Sequence, residues 1–227
     1  MTSAQQTWAV VARGLEKTSV YGPLDLDIPV GGLTVLTGPA GSGRTCLLLT
    51  LAGRMKPKSG DLSVMGETRP KRIFARAAIG AVDDLDAVYD AVTVGALVTE
   101  KRRWDAPWYR LIVSSAQSVE DVCRPVFGPL PVPDPKAYVE DLSELDVFLL
   151  RVALANTKRP PLLVAGAVDQ LSSTADQYTA LARLVELGRE QTVITATSNP
   201  VDDVGQRLVL ETPGLTPNDL IHNEGTN

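Results

Sequence analysis

The chain has 227 residues, of which 44% are hydrophobic and 22% charged, and its formal net charge is −5. This composition is typical of a soluble globular protein with room for one α/β domain, and the negative charge with scattered basic residues argues against nucleic-acid binding. Two cysteines and one histidine provide neither a disulfide framework nor the ligand spacing of a metal site. The first residues lack the features of a signal peptide. No apolar run of about 18 residues, which would predict a membrane span, occurs in the sequence.

The N-terminal part of the chain predicts three strands followed by a helix. TWAVVARGLE (7–16) is one strand, and LDLDIPVGGLTVLTG (24–38) contains two more, separated by turn residues. RTCLLLTLAGRM (44–55) is apolar on more than one face and predicts a buried helix that ends near Gly53. A strand, a glycine-rich loop and a helix in this order are the context that a phosphate-binding loop requires.

Further along the chain, a helical region separates two groups of strands. Residues 86–150 predict an inserted, mostly helical subdomain, and STADQYTALARLVELGRE (173–190) predicts another helix. The alternation of helix and strand that follows the subdomain is typical of a parallel sheet. The additional strands are predicted at residues 59–67, 79–82, 161–167 and 192–198.

The loop at residues 38–45 has the pattern G-x-x-x-x-G-R-T. Its glycines allow the backbone to direct several N–H groups towards one point, where the following helix presents its positive end to phosphate. Arg44 replaces the compact lysine of such loops with a planar guanidinium on a longer stem, and Thr45 would supply a hydroxyl to Mg²⁺. A glycine-rich turn that binds nothing remains the alternative. The predicted binding residues are Gly38, Pro39, Ala40, Gly41, Ser42, Gly43, Arg44, Thr45 and Cys46.

Five blocks of sequence resemble, in order and spacing, the nucleotide-binding subunit of ATP-binding cassette (ABC) transporters. The resemblance implies an α/β P-loop ABC ATPase fold, with an antiparallel β subdomain and an inserted helical subdomain, in a single domain over residues 1–227. It implies ATP and Mg²⁺ as cofactors, with Tyr21 as the aromatic residue that stacks on adenine. The blocks are residues 16–32, 47–67, 79–94, 142–166 and 192–200.

The resemblance also implies partners and a location. The partners are an integral membrane, permease-like subunit and a second ABC ATPase subunit of the same or another kind. The location is the inner face of the cell membrane, where the chain would be cytoplasmic and peripheral. The segment KRRWDAPWYR (101–110) lies in the region that faces the membrane subunit in this family, and its mixture of basic and aromatic residues suits a membrane interface or a partner helix. Burial of its tryptophans within the subdomain is the alternative.

The chain departs from the family at the positions that carry catalysis. The signature LSGGQ corresponds to LSELD (142–146), and the Walker B aspartate and catalytic glutamate correspond to Gly166 and Ala167. Asp84 replaces the Q-loop glutamine, and Ser198 replaces the switch histidine. Phosphoryl transfer requires oxygen ligands for Mg²⁺ and a base that positions water, so we expect weak or absent ATP hydrolysis and assign no catalytic residue.

Other carboxylates lie near these positions. Asp84 is a candidate Mg²⁺ ligand beside Thr45, because hard cations prefer oxygen, and Asp169 follows the strand that ends near Gly166. A solvated acidic loop is the alternative for Asp84. Two other functions remain open, namely a pseudo-ATPase that acts as a scaffold or regulator of a membrane protein, and a small-molecule P-loop kinase, which would need a base near Gly166.

Overall fold

The structure is a computed structural model, and it describes residues 7–82, 91–106 and 116–212. Within these ranges eight strands form two sheets, and six α-helices connect or cover them. The strands are β1 Trp8–Lys17, β2 Tyr21–Pro29, β3 Gly32–Thr37, β4 Ser59–Val64, β5 Ala77–Gly80, β6 Leu162–Ala165, β7 Thr192–Thr197 and β8 Leu208–Glu211. The helices are α1 Arg44–Leu51, α2 Pro70–Arg76, α3 Val94–Asp105, α4 Ala116–Phe127, α5 Glu144–Ala155 and α6 Thr174–Gly188.

The smaller sheet is antiparallel, with the strand order β2-β1-β4. Val10 on the central strand pairs with Ile28 on one side and with Val64 on the other, and all three side chains are fully buried. Because alternate residues of a strand face the same side, these pairs place one face of the sheet against the core. The predicted antiparallel β subdomain is confirmed.

The larger sheet is parallel, with the strand order β5-β6-β7-β3-β8. Every residue of β6 and β7 is buried, which is the pattern of a parallel sheet covered on both faces. The carboxyl ends of β6, β7 and β3 therefore lie side by side at one edge. The loops that follow these three strands carry the residues of the candidate site.

Two hydrophobic cores lie on opposite faces of the parallel sheet. Leu33 and Val35 of β3 belong to the core formed with helices α3 to α6, whereas Leu36 belongs to the core formed with α1 and the antiparallel sheet. This division follows from the alternation of side chains along a strand. The helices between β5 and β6 thus pack directly onto the sheet that carries the phosphate loop.

Three elements differ from the sequence-based expectation. Helix α2 and strand β8 were not predicted, because α2 buries only Ile73 and β8 is short and only half-buried. The expected end of the helical region at residue 150 falls inside α5, which continues to Ala155 with Ala153 fully buried. The assignment of the whole chain to one domain stays a prediction.

Tyr21, the predicted adenine-stacking residue, is buried in this structure. Its side chain is 1% exposed in the core beneath α1, and its hydroxyl lies 2.7 Å from Thr50 Oγ1, which itself donates to the Cys46 carbonyl. Burial raises the pKa of the Tyr21 phenol. A base could reach this ring only if the residues around it moved, and the role of Tyr21 in adenine stacking stays a prediction.

No helix within residues 7–82, 91–106 and 116–212 combines the length and the apolar character needed to cross a bilayer.

Candidate phosphate-binding site

The glycine-rich loop connects β3 to α1 at the carboxyl edge of the parallel sheet. Gly41 and Gly43 have φ of +79° and +77°, in the left-handed region that glycine adopts without strain. A Cβ on Gly43 would also lie 2.8 Å from the Val20 carbonyl carbon, so a larger residue does not fit there. Gly43 is the N-cap of α1, whose first turn carries no acidic residue that would oppose an anion.

Glycine is required at position 38 because of close packing. The φ of Gly38 is not positive, unlike those of Gly41 and Gly43. A Cβ there would lie 2.5 Å from Thr212 Oγ1 and 3.0 Å from Ser42 Oγ. Thr212 donates its amide N–H and its hydroxyl to the Thr37 carbonyl, which holds this wall of the loop in place. The loop is thus closely packed at its start and left-handed at Gly41 and Gly43.

Two polar atoms beside the loop have no hydrogen-bond partner among the described residues. They are Ser42 Oγ, on a residue that is 4% exposed, and Nη1 of the Arg44 guanidinium. Buried polar groups in folded proteins are nearly always hydrogen-bonded, and those that are not call for an explanation. Both atoms can donate hydrogen bonds, and they belong to the loop and to the first residue of α1.

The second nitrogen of the Arg44 guanidinium is already paired. Nη2 lies 3.0 Å from the Asp169 carboxylate, and the two side chains are only 11% and 14% exposed. Asp169 also accepts hydrogen bonds from the Ser198 amide, at 2.8 Å, and from the Ser198 hydroxyl. The loops after β3, β6 and β7 are therefore joined through one carboxylate.

The environment of Asp169 keeps its carboxyl ionised at neutral pH. Burial acts to raise its pKa, but the hydrogen bond from the Ser198 hydroxyl, the Arg44 guanidinium and the Ser198 amide outweigh burial and hold the pKa below its usual value. Asp169 was considered above as a stand-in for the missing catalytic carboxylates. Its partners instead place it in an ion pair.

Gly166, at the predicted Walker B position, leaves no space for a side chain. A Cβ on Gly166 would overlap the Ala81 carbonyl oxygen and lie 2.6 Å from the Ala81 carbonyl carbon. The Gly166 amide donates to the Gly80 carbonyl at 2.9 Å, and its own carbonyl accepts from Thr195 Oγ1 at 2.7 Å. Gly166 is therefore part of the backbone packing between the ends of β5, β6 and β7.

Few of the described residues are suited to hold Mg²⁺. Thr45 lines a pocket of about 350 Å³ together with Arg44, Asp169 and Gln170, next to Gly166 and Ala167. No cluster of three or more His, Cys, Asp or Glu side chains that would suit a metal ion occurs in the part of the chain that the structure describes. Asp84, the other predicted ligand, lies outside the described residues. Thr45 is the predicted ligand that the structure places at the pocket.

The side chains of LSELD are used within the chain. Ser143 is the N-cap of α5, where its hydroxyl accepts from the Asp146 amide and donates to the Asp146 carboxylate. Glu144 accepts hydrogen bonds from the amide and the hydroxyl of Ser172, at 2.8 and 3.0 Å, and these two bonds lower its pKa. The segment thus begins α5 and anchors the loop before α6.

The two cysteines are structural in character. Cys46 is half-buried in the first turn of α1 and packs against the core. Cys123 is fully buried in α4, and burial raises its pKa to about 12. A thiol with such a pKa stays protonated at physiological pH, which suits packing rather than reactivity.

A family model described as "ABC transporter" matches residues 21–193. The chain belongs to the ABC transporter family. The resemblance inferred from the five sequence blocks and the ABC ATPase fold predicted from it are thereby confirmed.

Two relatives within the ABC family indicate how far the likeness extends. The chain is 39% identical over 82 residues to the "Probable multidrug ABC transporter ATP-binding protein YbhF" of Escherichia coli, covering 36% of this chain and 14% of that protein. It is 34% identical over 94 residues to the "Sulfate/thiosulfate import ATP-binding protein CysA" of Mycobacterium tuberculosis, covering 39% and 26%. The matches therefore span between a seventh and about a quarter of those relatives.

Solved ABC structures share the fold at low sequence identity. CbiO1 of Clostridium perfringens, described as part of the ABC transporter complex cbiONQ, superposes with a TM-score of 0.67 at 15% identity, over 86% of this chain and 80% of that one. The dimeric bacterial ABC transporter cassette MJ0796 gives 0.65 at 19% identity, over 89% and 94%. At these identities the comparison establishes the ABC fold.

Proposed function

We propose that this chain is the ATP-binding subunit of an ABC-type membrane transport complex, and that it hydrolyses ATP weakly or not at all. The observation that carries the binding proposal is the loop at residues 38–45, which leaves the buried Ser42 hydroxyl and Nη1 of Arg44 without partners at the start of α1. Triphosphate oxygens are hydrogen-bond acceptors of the kind these donors lack. ABC ATPases in general bind ATP with Mg²⁺, which supports the choice of ligand.

The weak hydrolysis follows from what stands at the catalytic positions. Gly166 and Ala167 offer no oxygen ligand or base, and the backbone of Ala81 occupies the space that a side chain on Gly166 would need. When bound, Mg²⁺ would neutralise phosphate charge, and Thr45 is the described residue best placed to hold it. Without a carboxylate to orient water, we expect turnover near the uncatalysed rate.

Binding is tested by calorimetric titration of the chain with ATP and ADP, with and without Mg²⁺. We expect Arg44→Ala to weaken ATP binding by about 10-fold or more, because a charge-assisted hydrogen bond to phosphate contributes on the order of 1.5–3 kcal/mol. Arg13→Ala is the matched control, because Arg13 forms an ion pair with Asp27 at 2.9 Å but is half-exposed on the antiparallel sheet. Equal affinities of the wild type and Arg44→Ala would contradict the proposed site.

A second candidate function is a pseudo-ATPase that serves as a scaffold or regulator of a membrane protein. The ion pair between Arg44 and Asp169 favours it, because the loop arginine already has an anionic partner within the chain. Absence of saturable binding up to millimolar ATP in the same titration would favour this candidate. Phosphate transfer to an added acceptor, in contrast, would indicate a kinase.

The proposed partners are a permease-like membrane subunit and a second ABC subunit, with the chain on the cytoplasmic face of the membrane. Trp104 on α3 is 78% exposed, and it borders a largely apolar groove of about 400 Å³ with Ile79, Leu97 and Leu154. Exposed aromatic residues beside an apolar groove are typical of protein interfaces. CbiO1 is described as part of the ABC transporter complex cbiONQ, and this description supports an association of this kind.

We expect Trp104→Ala to reduce the fraction of the chain that sediments with membranes of the source cells by severalfold, since truncation of an interface anchor costs about 2 kcal/mol or more. Its thermal stability should not change, because the side chain is mostly exposed. Trp8→Ala is the matched control, because Trp8 is 40% exposed and lies on the antiparallel sheet, away from this groove. Equal sedimentation of both variants and the wild type would argue against this surface. Trp108 lies outside the described residues.

A further inference from the structure

Of the two terminal nitrogens of the Arg44 guanidinium, one is hydrogen-bonded and the other is not. Nη2 is 3.0 Å from the Asp169 carboxylate, whereas Nη1 is buried without a hydrogen-bond partner among the described residues. A guanidinium has a fork geometry that suits bidentate binding of an anion, so a single carboxylate oxygen uses only part of its capacity. Arg44 is thus held in place but is not saturated.

Asp169 is also held by the loop after β7. The Ser198 amide and hydroxyl both donate to the same oxygen that contacts Arg44. Asp169 therefore links the phosphate loop to the segment that occupies the switch position in the ABC family. The connection spans three neighbouring strands of the sheet, β6, β7 and β3.

The carboxylate shares the pocket at the loop with Thr45 and Arg44. A phosphate group that accepts hydrogen bonds from both nitrogens of Arg44 would compete with Asp169 for Nη2. The ionised carboxylate would also repel the phosphate, because the Asp169 side chain is only 14% exposed and like charges interact more strongly where water is partly excluded. No other carboxylate lines this pocket among the described residues.

We propose that Asp169 is an internal competitor for Arg44 that sets the affinity of this chain for the triphosphate. In the nucleotide-free chain Arg44 is paired with Asp169, and binding moves the guanidinium from the carboxylate to the phosphate. Asp169 then retains Ser198 alone, so occupancy of the loop is coupled to the segment after β7. This inference rests on the proposed nucleotide binding and adds a residue that determines its strength.

The test is the ATP affinity of Asp169→Asn, measured by calorimetry at neutral pH in the presence of EDTA and again with Mg²⁺. The amide has nearly the shape of the carboxylate and lacks its charge, so we expect binding that is about 10-fold tighter or more, within the usual range of intramolecular coupling. Asp169→Glu keeps the charge and should bind no more tightly than the wild type. Asp27→Asn, which removes the partner of Arg13 on the antiparallel sheet, should also leave the affinity unchanged.

A double-mutant cycle distinguishes competition for Arg44 from a general effect of charge. If Asp169 acts through Arg44, the gain from Asp169→Asn should largely disappear in the Arg44→Ala background. A gain of equal size in both backgrounds would overturn the proposal. Should Asp169→Asn fail to fold, Asp169→Ser removes the same charge and replaces it in the cycle.

The remaining outcomes separate the inference from the proposed function. Wild-type binding that Asp169→Asn does not tighten would overturn the inference and leave the nucleotide-binding proposal standing. Binding seen only in the neutral variants would support the inference, since the carboxylate alone would then be blocking the site. Absence of binding in the wild type and in every neutral variant would overturn both.

Discussion

Gly166→Asp, which introduces an aspartate at the predicted Walker B position, is expected to destabilise the fold by about 3 kcal/mol or more instead of producing ATPase activity. A Cβ on Gly166 overlaps the Ala81 carbonyl oxygen, and the Gly166 amide is hydrogen-bonded to the Gly80 carbonyl. Any side chain therefore forces the ends of β5 and β6 apart. Urea unfolding followed by circular dichroism measures the change, and phosphate release from ATP measures the activity.

The control for this prediction separates steric overlap from the general cost of replacing glycine. Gly166→Ala adds only the Cβ and should already cause most of the loss, whereas Gly14→Ala meets no atom within 4 Å. Gly14 has a φ of +55°, so its replacement should cost about 1–2 kcal/mol through backbone strain alone. Wild-type stability of Gly166→Asp would mean that the Ala81 backbone moves easily and that the site tolerates a carboxylate.

Phe127→Ala is expected to lower the free energy of unfolding by about 3–5 kcal/mol. Phe127 is fully buried at the end of α4, in the core that also contains Leu33 and Val35 of β3. Arg183 of α6 donates to the Val126 carbonyl at 2.8 Å, which joins this end of α4 to α6. The cavity left by the ring would thus weaken both the helical region and the sheet that carries the loop.

Phe74→Ala provides the same chemical change on the surface. Phe74 is 52% exposed on α2, where the Arg54 guanidinium lies 3.4 Å from its ring centroid, so we expect a loss of about 1 kcal/mol or less. Denaturant unfolding monitored by circular dichroism and by tryptophan fluorescence checks both variants. If the chain is one domain, Phe127→Ala should shift a single transition that both probes report. Two separate transitions would contradict the predicted single domain.

Most elements of the fold could be predicted because their apolar patterns are strong. The strand β7, TVITAT, is buried along its whole length, and β1 begins with the apolar run WAVVA, in which Ala9, Val10 and Ala12 are buried. Helix α2 has one buried residue and β8 has none, so neither produces a pattern that stands out from a loop. β8 is formed through its backbone pairing with β3, which a sequence pattern does not record.

The position of the glycine loop was also accessible from the sequence. The spacing of Gly38, Gly43 and Thr45 predicted a strand–loop–helix unit, and the structure places the loop at the carboxyl edge of the sheet as that unit requires. The burial of Tyr21, in contrast, could not be predicted, because sequence position does not show exposure. Its ring lies within the core, 1% exposed, and its hydroxyl is hydrogen-bonded to Thr50.

The sequence by itself determined the family and the alternation of strands and helices, because both depend on residue type at short or regular spacing. Only the tertiary structure decided that Asp169 pairs with Arg44, from which it is separated by 125 positions, and that the backbone of Ala81 fills the space beside Gly166. Both facts arise where the ends of parallel strands meet. Strand order and loop packing, which local sequence does not encode, decide which side chains share that edge.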